Sequence, residues 1–330
     1  MKNYSNIDDL ITELNNGTFN TPNTINRKKM IFVPVIKEIP KRIKMQNTDY
    51  KHNKISGIPV IRNIIVGLEI LRQLRWLNMV YPQKRCDNYV CDTKEELLNH
   101  ADEYKEAFAL FDDKSKRIYL DLLCLRLTGD FNYVIPHYKL SPQYLSDRIK
   151  WKNSPNIVDA GGYIGDTLMS FLSAGIIPGK YQIYELEAKN YKHLVKNINK
   201  ARKLGVKVRA TKKGLYSENK TLYFVPKRDS SQIVDYETPD KIDVVKLDSD
   251  LKIIPDFIKM DIEGSEVEAL KGSAEVIIKY SPTLAICIYH LKDDFRKIPL
   301  LIKEINPNYK YFWIEHYQLG YNETVLYASI

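Results

Sequence analysis

The chain has 330 residues, of which 44% are hydrophobic and 28% charged, an ordinary composition for a globular protein of one large or two smaller domains. It has no apolar run of about 18 residues, the length that a membrane-spanning helix needs, and its first 14 residues lack a signal-peptide core. The four cysteines show no zinc or disulfide spacing. We therefore expect a cytoplasmic protein.

The net charge of +9 is concentrated near the amino terminus. Residues 27–62 contain ten Lys or Arg against Glu38 and Asp49, which is a charge of +8. One interpretation is a solvated basic surface, and the other is docking to an anionic partner such as a lipid-phosphate carrier or a membrane surface. Nucleic acid is the less expected partner, because aromatic residues do not alternate with these charges.

The first 150 residues predict a mostly helical region with a few short strands. Asp112 opens one of its helices and Gly129 follows the end of that helix. A capping box formed by Thr93 and Glu96 predicts a second helix that begins at Thr93. The predicted helices are residues 7–14, 63–77, a segment from 93 and 112–127; the short strands are 30–36 and 55–61. We divide the chain into residues 1–110, which are basic and of unknown role, a helical lead-in of residues 111–150, and a domain of residues 151–330.

From Asn156 onwards, strands and helices alternate strictly, which predicts a doubly wound, mostly parallel sheet. Lys189 opens a helix with cations in its last turn, which ends before Gly205. Ser265 is expected to cap another helix, with Glu268 as its capping-box partner. Main strands are expected at residues 157–160, 181–185, 206–210, 257–261 and 284–289, and additional strands at 221–225 and 243–247. A helix is expected to begin at 166, and further helices are expected at 189–204, 265–278 and 294–305, with a closing antiparallel pair at 309–314 and 324–328. Val195 and Ile278 are expected to face inward.

A strand, a glycine-rich turn and the start of a helix are predicted for residues 157–167, with the sequence IVDAGGYIGDT. This arrangement binds nucleotide-like cofactors. A dinucleotide fingerprint has glycine at three positions, and this chain has Tyr163 at the second and Asp166 at the third. A tyrosine obstructs a pyrophosphate, and a carboxylate competes with phosphate for the helix N-terminal amides. The turn therefore favours a cofactor without phosphate, such as S-adenosylmethionine.

An acidic residue in the next strand supports this interpretation. Glu185 ends that strand, twenty residues after Gly165, the position of an acid that accepts hydrogen bonds from ribose hydroxyls. Ligands bind outside the carboxyl ends of the strands in an open α/β sheet. Asp159, Asp261 and His290 also fall at strand ends, so that we expect them to share one cleft with Glu185.

The run IKMDIEGSE at residues 258–266, followed by ALKG at 269–272, resembles the signature of the FkbM family of S-adenosylmethionine-dependent methyltransferases. The glycine-rich turn, residues 282–290 and residues 323–327 are similar to other motifs of that family, in the same order. The resemblance covers residues 110 to 330 approximately. Leu186 departs from it, because the family commonly has proline there; this should alter the turn but not the ribose contact.

The resemblance implies a class I methyltransferase fold and O-methylation of a hydroxyl on a sugar, glycan or small metabolite. Residues 151–330 would then be the cofactor-binding methyltransferase domain. The expected cofactor contacts are Asp159, Ala160, Gly161, Gly162, Tyr163, Gly165, Asp166, Thr167, Glu185, Leu186, Gly214 and Asp261.

Three residues are candidates for the catalytic chemistry. His290 is the candidate base, since an imidazole can take a hydroxyl proton near neutral pH. Asp261 could orient His290, hold the cofactor or act as base itself. Glu263 could share this role or simply stabilise the helix dipole. As an alternative, Asp261 and Glu263, with His290, could hold a divalent cation that lowers the pKa of the acceptor.

Two other classes of function stay open at this point. One is an enzyme that binds a nucleotide sugar or NAD, and the other is a non-catalytic binding module recruited through the basic segment. The Asn/Asp-Pro-Pro-aromatic run of many amino-group methyltransferases is absent, and Asp261-Ile262-Glu263-Gly264 stands in its place, which favours an oxygen acceptor. The acceptor pocket is expected between the N-terminal helical region, residues 230–239 and the loop after His290. The sequence does not indicate the oligomeric state.

Overall fold

The computed structural model describes residues 4–19, 93–139, 141–226, 231–234, 236–238 and 241–330. The basic segment 27–62, the helix predicted at 63–77, the strands predicted at 30–36 and 55–61, and two of the cysteines (Cys86 and Cys91) lie outside the described residues. Within these ranges, no helix is both long and apolar enough to cross a membrane.

The chain divides into two compact units. The first runs up to Pro142 and includes Trp313–Thr324, and the second consists of Gln143–Phe312 with Val325–Ile330. The chain thus leaves the second unit near its end and returns to it for the last strand.

The described part of the first unit is mainly helical, as predicted. Its helices are α1 (Ile7–Asn15), residues 93–99, α2 (Ala101–Ala109) and α3 (Asp113–Thr128). The Asp112 side chain caps α3 by accepting the Ser115 N–H at 2.8 Å, and Gly129 ends the helix with a left-handed φ of 66°. Ile118, Leu122 and Leu125 of α3 are buried, as the helical spacing predicted.

A mostly parallel sheet of seven strands makes up the core of most of the second unit. Its strands are β1 (Asn156–Ala160), β2 (Lys180–Tyr184), β3 (Lys207–Thr211), β8 (Phe257–Met260), β9 (Thr283–Cys287), β10 (Tyr311–His316) and β11 (Thr324–Ser329). The strand order is β10-β11-β9-β8-β1-β2-β3. β11 runs antiparallel to β9, whereas β1, β2, β3, β8 and β9 pair in parallel. This confirms the doubly wound class I methyltransferase fold.

The additional strands form a second sheet of four strands. They are β4 (Gly214–Leu215), β5 (Lys220–Pro226), β6 (Ser231–Val234) and β7 (Lys241–Val245), in the order β4-β7-β5-β6. β5 and β7 correspond to the two additional strands predicted before β8. Thr221 pairs with Asp243 between them, both through the backbone register and through a side-chain hydrogen bond of 2.8 Å.

The helices of the second unit cover the sheet. They are α4 (Asp166–Ser173), α5 (Ala188–Lys203), α6 (Leu247–Asp250), α7 (Glu266–Lys271), α8 (Ala274–Tyr280) and α9 (Asp294–Ile305). α5 has the predicted cations in its last turn. Two inward positions were predicted wrongly, because Val195 is 36% and Ile278 58% exposed.

The single helix predicted from Ser265 to residue 278 is two helices, α7 and α8. They are separated at Gly272, where a Cβ atom would lie 1.9 Å from the carbonyl oxygen of Tyr216, so this backbone packs too closely for a side chain. The predicted capping box is also wrong. Ser265 makes no side-chain capping bond, and Glu268 instead accepts hydrogen bonds from Ser217 and Lys271.

Candidate functional site

The glycine-rich turn lies at the carboxyl ends of β1 and β2. The N–H groups of Gly161 and Gly162 both donate to the carbonyl oxygen of Tyr184, at 3.0 and 2.8 Å. Gly161 has a φ of +80°, and a Cβ atom there would lie 1.8 Å from the backbone oxygen of Asp261. Glycine is required at this position both by conformation and by space, and the close approach sets the turn against the end of β8.

The turn then leads into α4. The N–H of Gly165 donates to the Gly162 carbonyl at 2.7 Å, and Gly165 has a φ of +86° directly before the first turn of α4. Asp166 and Thr167 form that first turn, as predicted. Tyr163 has a φ of +44° and its residue is 53% exposed, so the aromatic ring stands at the surface of the turn.

Asp159 lies beneath the turn and is fully buried. Its carboxylate pairs with the Lys259 ammonium at 3.0 Å and accepts a hydrogen bond from the Tyr181 hydroxyl at 2.7 Å. The Lys259 ammonium also donates to the carbonyl oxygen of Gly161 at 2.6 Å. A buried charge is tolerated when it is paired and hydrogen-bonded. This pair therefore holds the turn from below.

Glu185 follows β2 and lies beside the turn. One carboxylate oxygen accepts the N–H of Tyr163 at 2.8 Å, and the other accepts the N–H of Glu187 at 2.8 Å. Burial raises the pKa of Glu185 to about 7, although the two backbone donors act in the opposite direction. Each carboxylate oxygen retains a second lone pair that can accept a hydroxyl donor.

A cavity of about 480 Å³ lies beside Leu186, the residue that follows Glu185 in the chain. Leu186, Lys212 and Lys213 line it, together with residues of the small sheet. Gly214 lies against Leu186, because a Cβ atom at Gly214 would be 3.6 Å from a Leu186 methyl carbon. The predicted cofactor residues Leu186 and Gly214 thus lie together.

A second group of polar residues occupies the ends of β8 and β9. Asp261 follows β8, and its two oxygens accept hydrogen bonds from the hydroxyl groups of Tyr144 at 2.9 Å and Tyr289 at 3.2 Å. Burial would raise the pKa of Asp261, but the charges of Lys259 and His290 hold it below its usual value.

His290 lies among three carboxylates. Its Nε2 atom is 3.4 Å from Asp261 and 3.6 Å from Glu263, and its Nδ1 atom is 2.9 Å from Glu266. Burial alone would lower the pKa of His290, but the charges of Glu266, Asp261 and Glu263 raise it to about 10. Burial also raises the pKa of Glu263 to about 7, against the opposing charge of His290.

Glu266 shapes the turn between β8 and α7. It is 1% exposed, and its oxygens accept the N–H groups of Ile262 at 2.8 Å and Gly264 at 3.0 Å. Between these donors, Glu263 adopts a φ of +58°, which is uncommon for a residue with a side chain. The buried carboxylate thereby fixes the turn that carries Glu263.

The structure brings the predicted residues Asp261, Glu263 and His290 together at one edge of the sheet. Sequence reasoning assigned no role to Glu266 or Tyr144. Glu266 belongs to the IKMDIEGSE run, which could have indicated it. Tyr144 lies 117 residues before its partner Asp261, and no local pattern signals such a contact.

The family comparison agrees with the resemblance seen in the sequence. Residues 159–312 match the model of the methyltransferase FkbM domain. A search of curated proteins found no match.

Comparison with solved structures supports the fold. The methyltransferase FkbM from Methylobacillus flagellatus KT is 24% identical over 71% of this chain and 60% of its own length, with a TM-score of 0.61. This chain therefore corresponds to less than two thirds of that protein. Weaker similarity extends to an rRNA methylase from Streptococcus thermophilus (12% identity, 54% of this chain, 87% of that chain, TM-score 0.36) and to an O-methyltransferase from Bacillus cereus in complex with SAH (13% identity, 79% of this chain, 97% of that chain, TM-score 0.33).

Proposed function

We propose that this chain, which carries a methyltransferase FkbM domain over residues 159–312, transfers a methyl group from S-adenosylmethionine to a hydroxyl oxygen. The acceptor hydroxyl belongs to a sugar, a glycan or a small metabolite. The observation that carries this proposal is the position of the Asp261–Glu263–His290 cluster directly beside the glycine-rich turn.

The cofactor-binding half of the site suits a nucleoside without phosphates. Glu185 is held by two backbone donors and keeps lone pairs for the ribose hydroxyls. The cavity at Leu186 offers a place for the adenine next to it. Exposed Tyr163 stands where a dinucleotide fingerprint has glycine, so the turn offers a pyrophosphate no close approach. The presence of Tyr163 at this position therefore also disfavours an enzyme that binds a nucleotide sugar or NAD.

The reaction is a direct displacement. The acceptor oxygen forms a bond to the methyl carbon as the bond from that carbon to sulfur breaks, and the hydroxyl proton leaves. S-adenosylmethionine supplies an activated methyl group, so the protein mainly contributes alignment, a proton acceptor and a site with little water.

The cluster at the ends of β8 and β9 receives the proton. The Gly161 backbone approaches Asp261 closely, so that a methyl donor held at the turn and an acceptor held at Asp261 are neighbours. Glu263 is the most exposed of the three carboxylates around His290, with 44% of its side chain accessible. It can therefore pass a proton from the cluster to solvent.

The decisive experiment is calorimetric titration of the full chain with S-adenosylmethionine, with NADH and UDP-glucose as controls. Saturable binding of S-adenosylmethionine alone is expected. Glu185→Ala should weaken it by about 10- to 100-fold, because hydrogen bonds to a charged group contribute about 1.5–3 kcal/mol. Glu187→Gln is the matched control, since the Glu187 side chain bonds Asn190. It should not weaken binding, because loss of the Glu187 charge only favours the ionised form of Glu185.

Absence of S-adenosylmethionine binding to a folded chain would refute the proposed cofactor and return the non-catalytic binding module to consideration. The oxygen acceptor needs a second measurement. Incubation with ¹³C-methyl-labelled S-adenosylmethionine and extracted glycans and metabolites should label a product whose methyl chemical shift is that of an ether. A methyl shift typical of an N-methyl group would contradict the choice of oxygen.

A further inference from the structure

We infer that Asp261, Glu266 and His290 form a binding site for a divalent cation. A carboxylate oxygen of each acid and a ring nitrogen of His290 all lie within 4.8 Å of one another. The sequence alone suggested Asp261, Glu263 and His290 for a cation. In the structure, Glu266 takes the place of Glu263 in the compact set.

The donor atoms suit a cation of the first transition row or magnesium. Two carboxylates and one imidazole form a mixed oxygen and nitrogen set, which Mn²⁺ accepts readily, whereas Mg²⁺ prefers oxygen alone. Mn²⁺ is therefore a suitable probe of this donor set, and the affinity order of first-row divalent metals predicts that Zn²⁺ binds it more tightly than Mn²⁺ does.

The imidazole of His290 gives independent support. Its side chain is only 7% exposed, and neither ring nitrogen has a hydrogen-bond partner of acceptable geometry, although three carboxylates lie within 3.6 Å. Buried polar atoms are normally satisfied. A cation between the ring and the carboxylates would contact a nitrogen and the oxygens together.

The charge around the imidazole points in the same direction. Asp261, Glu263 and Glu266 surround His290, and the charge of Lys259, which also acts on Asp261, is shared with Asp159. Buried carboxylates need an opposite charge or a metal ion. A divalent cation would balance two of the three negative charges.

The surroundings of the proposed ligands are ordered as in metal sites. Ligating carboxylates are usually hydrogen-bonded themselves. Glu266 accepts the N–H groups of Ile262 and Gly264, and Asp261 accepts the hydroxyl groups of Tyr144 and Tyr289. The Asp261 side chain is 24% exposed, which leaves a path for the ion and for one oxygen of a substrate.

The chemical role of the cation rests on the proposed function. An acceptor hydroxyl that contacts a divalent cation loses its proton more easily, because the cation stabilises the alkoxide. Glu263 would then lie outside the ligand set, beside the acceptor.

The test is titration of the chelator-treated full chain with MnCl₂, followed by calorimetry and by the EPR signal of free Mn²⁺. One saturable site is expected. His290→Gln and Glu266→Gln should each weaken Mn²⁺ binding by at least about tenfold. Glu268→Gln is the matched control on the same helix, because Glu268 pairs with Lys271 and Ser217 instead, and its affinity should equal that of the unmodified chain.

S-adenosylmethionine titration of the same samples separates the two proposals. It shows that each variant is folded and tests the cofactor independently of the metal. If Mn²⁺, Mg²⁺ and Zn²⁺ all fail to bind a chain that binds S-adenosylmethionine, or if the variants bind Mn²⁺ as tightly as the control, the cation site is refuted. Proton transfer would then fall to the carboxylates around His290, because the pKa of about 10 leaves the imidazole already protonated near neutral pH.

Discussion

Carboxylates with the same chemistry have different tasks in this site because their surroundings differ. Glu185 is held by two backbone N–H groups beside the glycine-rich turn. Asp159 is fully buried and neutralises Lys259 beneath the turn. Glu266 is equally buried, but it orders a backbone turn and contacts His290. Burial and the identity of the donors decide each role.

The raised pKa of Glu185 predicts that cofactor binding depends on pH. Ribose hydroxyls donate to the ionised carboxylate, and burial shifts its ionisation to a pKa of about 7. The affinity for S-adenosylmethionine should therefore rise about tenfold between pH 6 and pH 8. The charges that act on Glu185 are those of Glu187, which raises its pKa, and Lys259, which lowers it.

Calorimetry at several pH values checks this expectation, with Glu185→Gln as the reference that cancels the titration of the ligand's own amino group. Equal pH profiles for both proteins would contradict it.

The raised pKa of Glu185 also has an effect on the stability of the fold. Because the folded-state pKa lies above the ordinary glutamate value of 4.5, the free energy of unfolding should fall as the pH rises from about 4.5 to 7.

At the scale of single residues, the sequence could predict those that end strands. Asp261 and His290 were placed correctly because the carboxyl ends of parallel strands meet at one edge of a sheet. Tyr144 and the pairing of Asp159 with Lys259 could not be predicted, since they depend on contacts between distant segments. The chemical roles of Asp261, Glu263 and His290 stay predictions.

At the scale of elements, the glycine-rich turn is positioned by a close approach between backbones. Gly161 and Gly175 have nearly the same φ, +80° and +81°, yet a Cβ atom at Gly161 would collide with Asp261 whereas one at Gly175 would meet nothing within 4 Å. Alanine substitutions at the two positions can therefore distinguish the effect of backbone strain, which both share, from the effect of a steric clash, which only Gly161 would show.

Gly161→Ala should therefore displace the turn from the end of β8 and weaken S-adenosylmethionine binding by at least about tenfold, because a methyl group cannot be placed 1.8 Å from a carbonyl oxygen. Gly175→Ala should lower stability by only about 1 kcal/mol, the strain of a left-handed alanine, and leave binding intact. Thermal unfolding and calorimetry of both variants test this. Similar binding losses in both would show that strain, rather than space, governs the turn.

The elements themselves were largely predictable, because alternating strands and helices leave few topologies open. The two errors around the helix start at Ser265 share one physical cause. The break at Gly272 and the contacts of Glu268 are set by residues 216 and 217, which lie far away in the sequence. A helical pattern in residues 265–278 contains no information about these neighbours.

At the scale of the whole molecule, the uneven distribution of charge predicts an anionic binding partner. The described residues do not include the segment concerned. Residues 27–62 carry +8 of the net +9. We expect the full chain to cosediment with vesicles that contain anionic phospholipid, and not with neutral vesicles. Replacing Lys41, Arg42 and Lys44 by glutamine should reduce this binding by roughly tenfold or more, at about 1 kcal/mol per charge near the surface.

The matched control replaces Lys196, Lys200 and Lys203, which are exposed on α5, and changes the net charge by the same amount. If both triple variants lose binding equally, overall charge rather than the basic segment causes the association. If neither loses binding, the proposed anionic partner of this segment is wrong.

Tyr144 has a consequence for how related chains are compared. It donates to Asp261 from outside residues 159–312, the part that the domain family defines. An inventory of site residues taken from residues 159–312 alone would omit it, and a gene fragment that starts at residue 159 would encode an Asp261 that has lost one of its two tyrosine donors. If Asp261 holds the acceptor, as proposed, a substitution of Tyr144 would alter that contact without any change inside the matched domain.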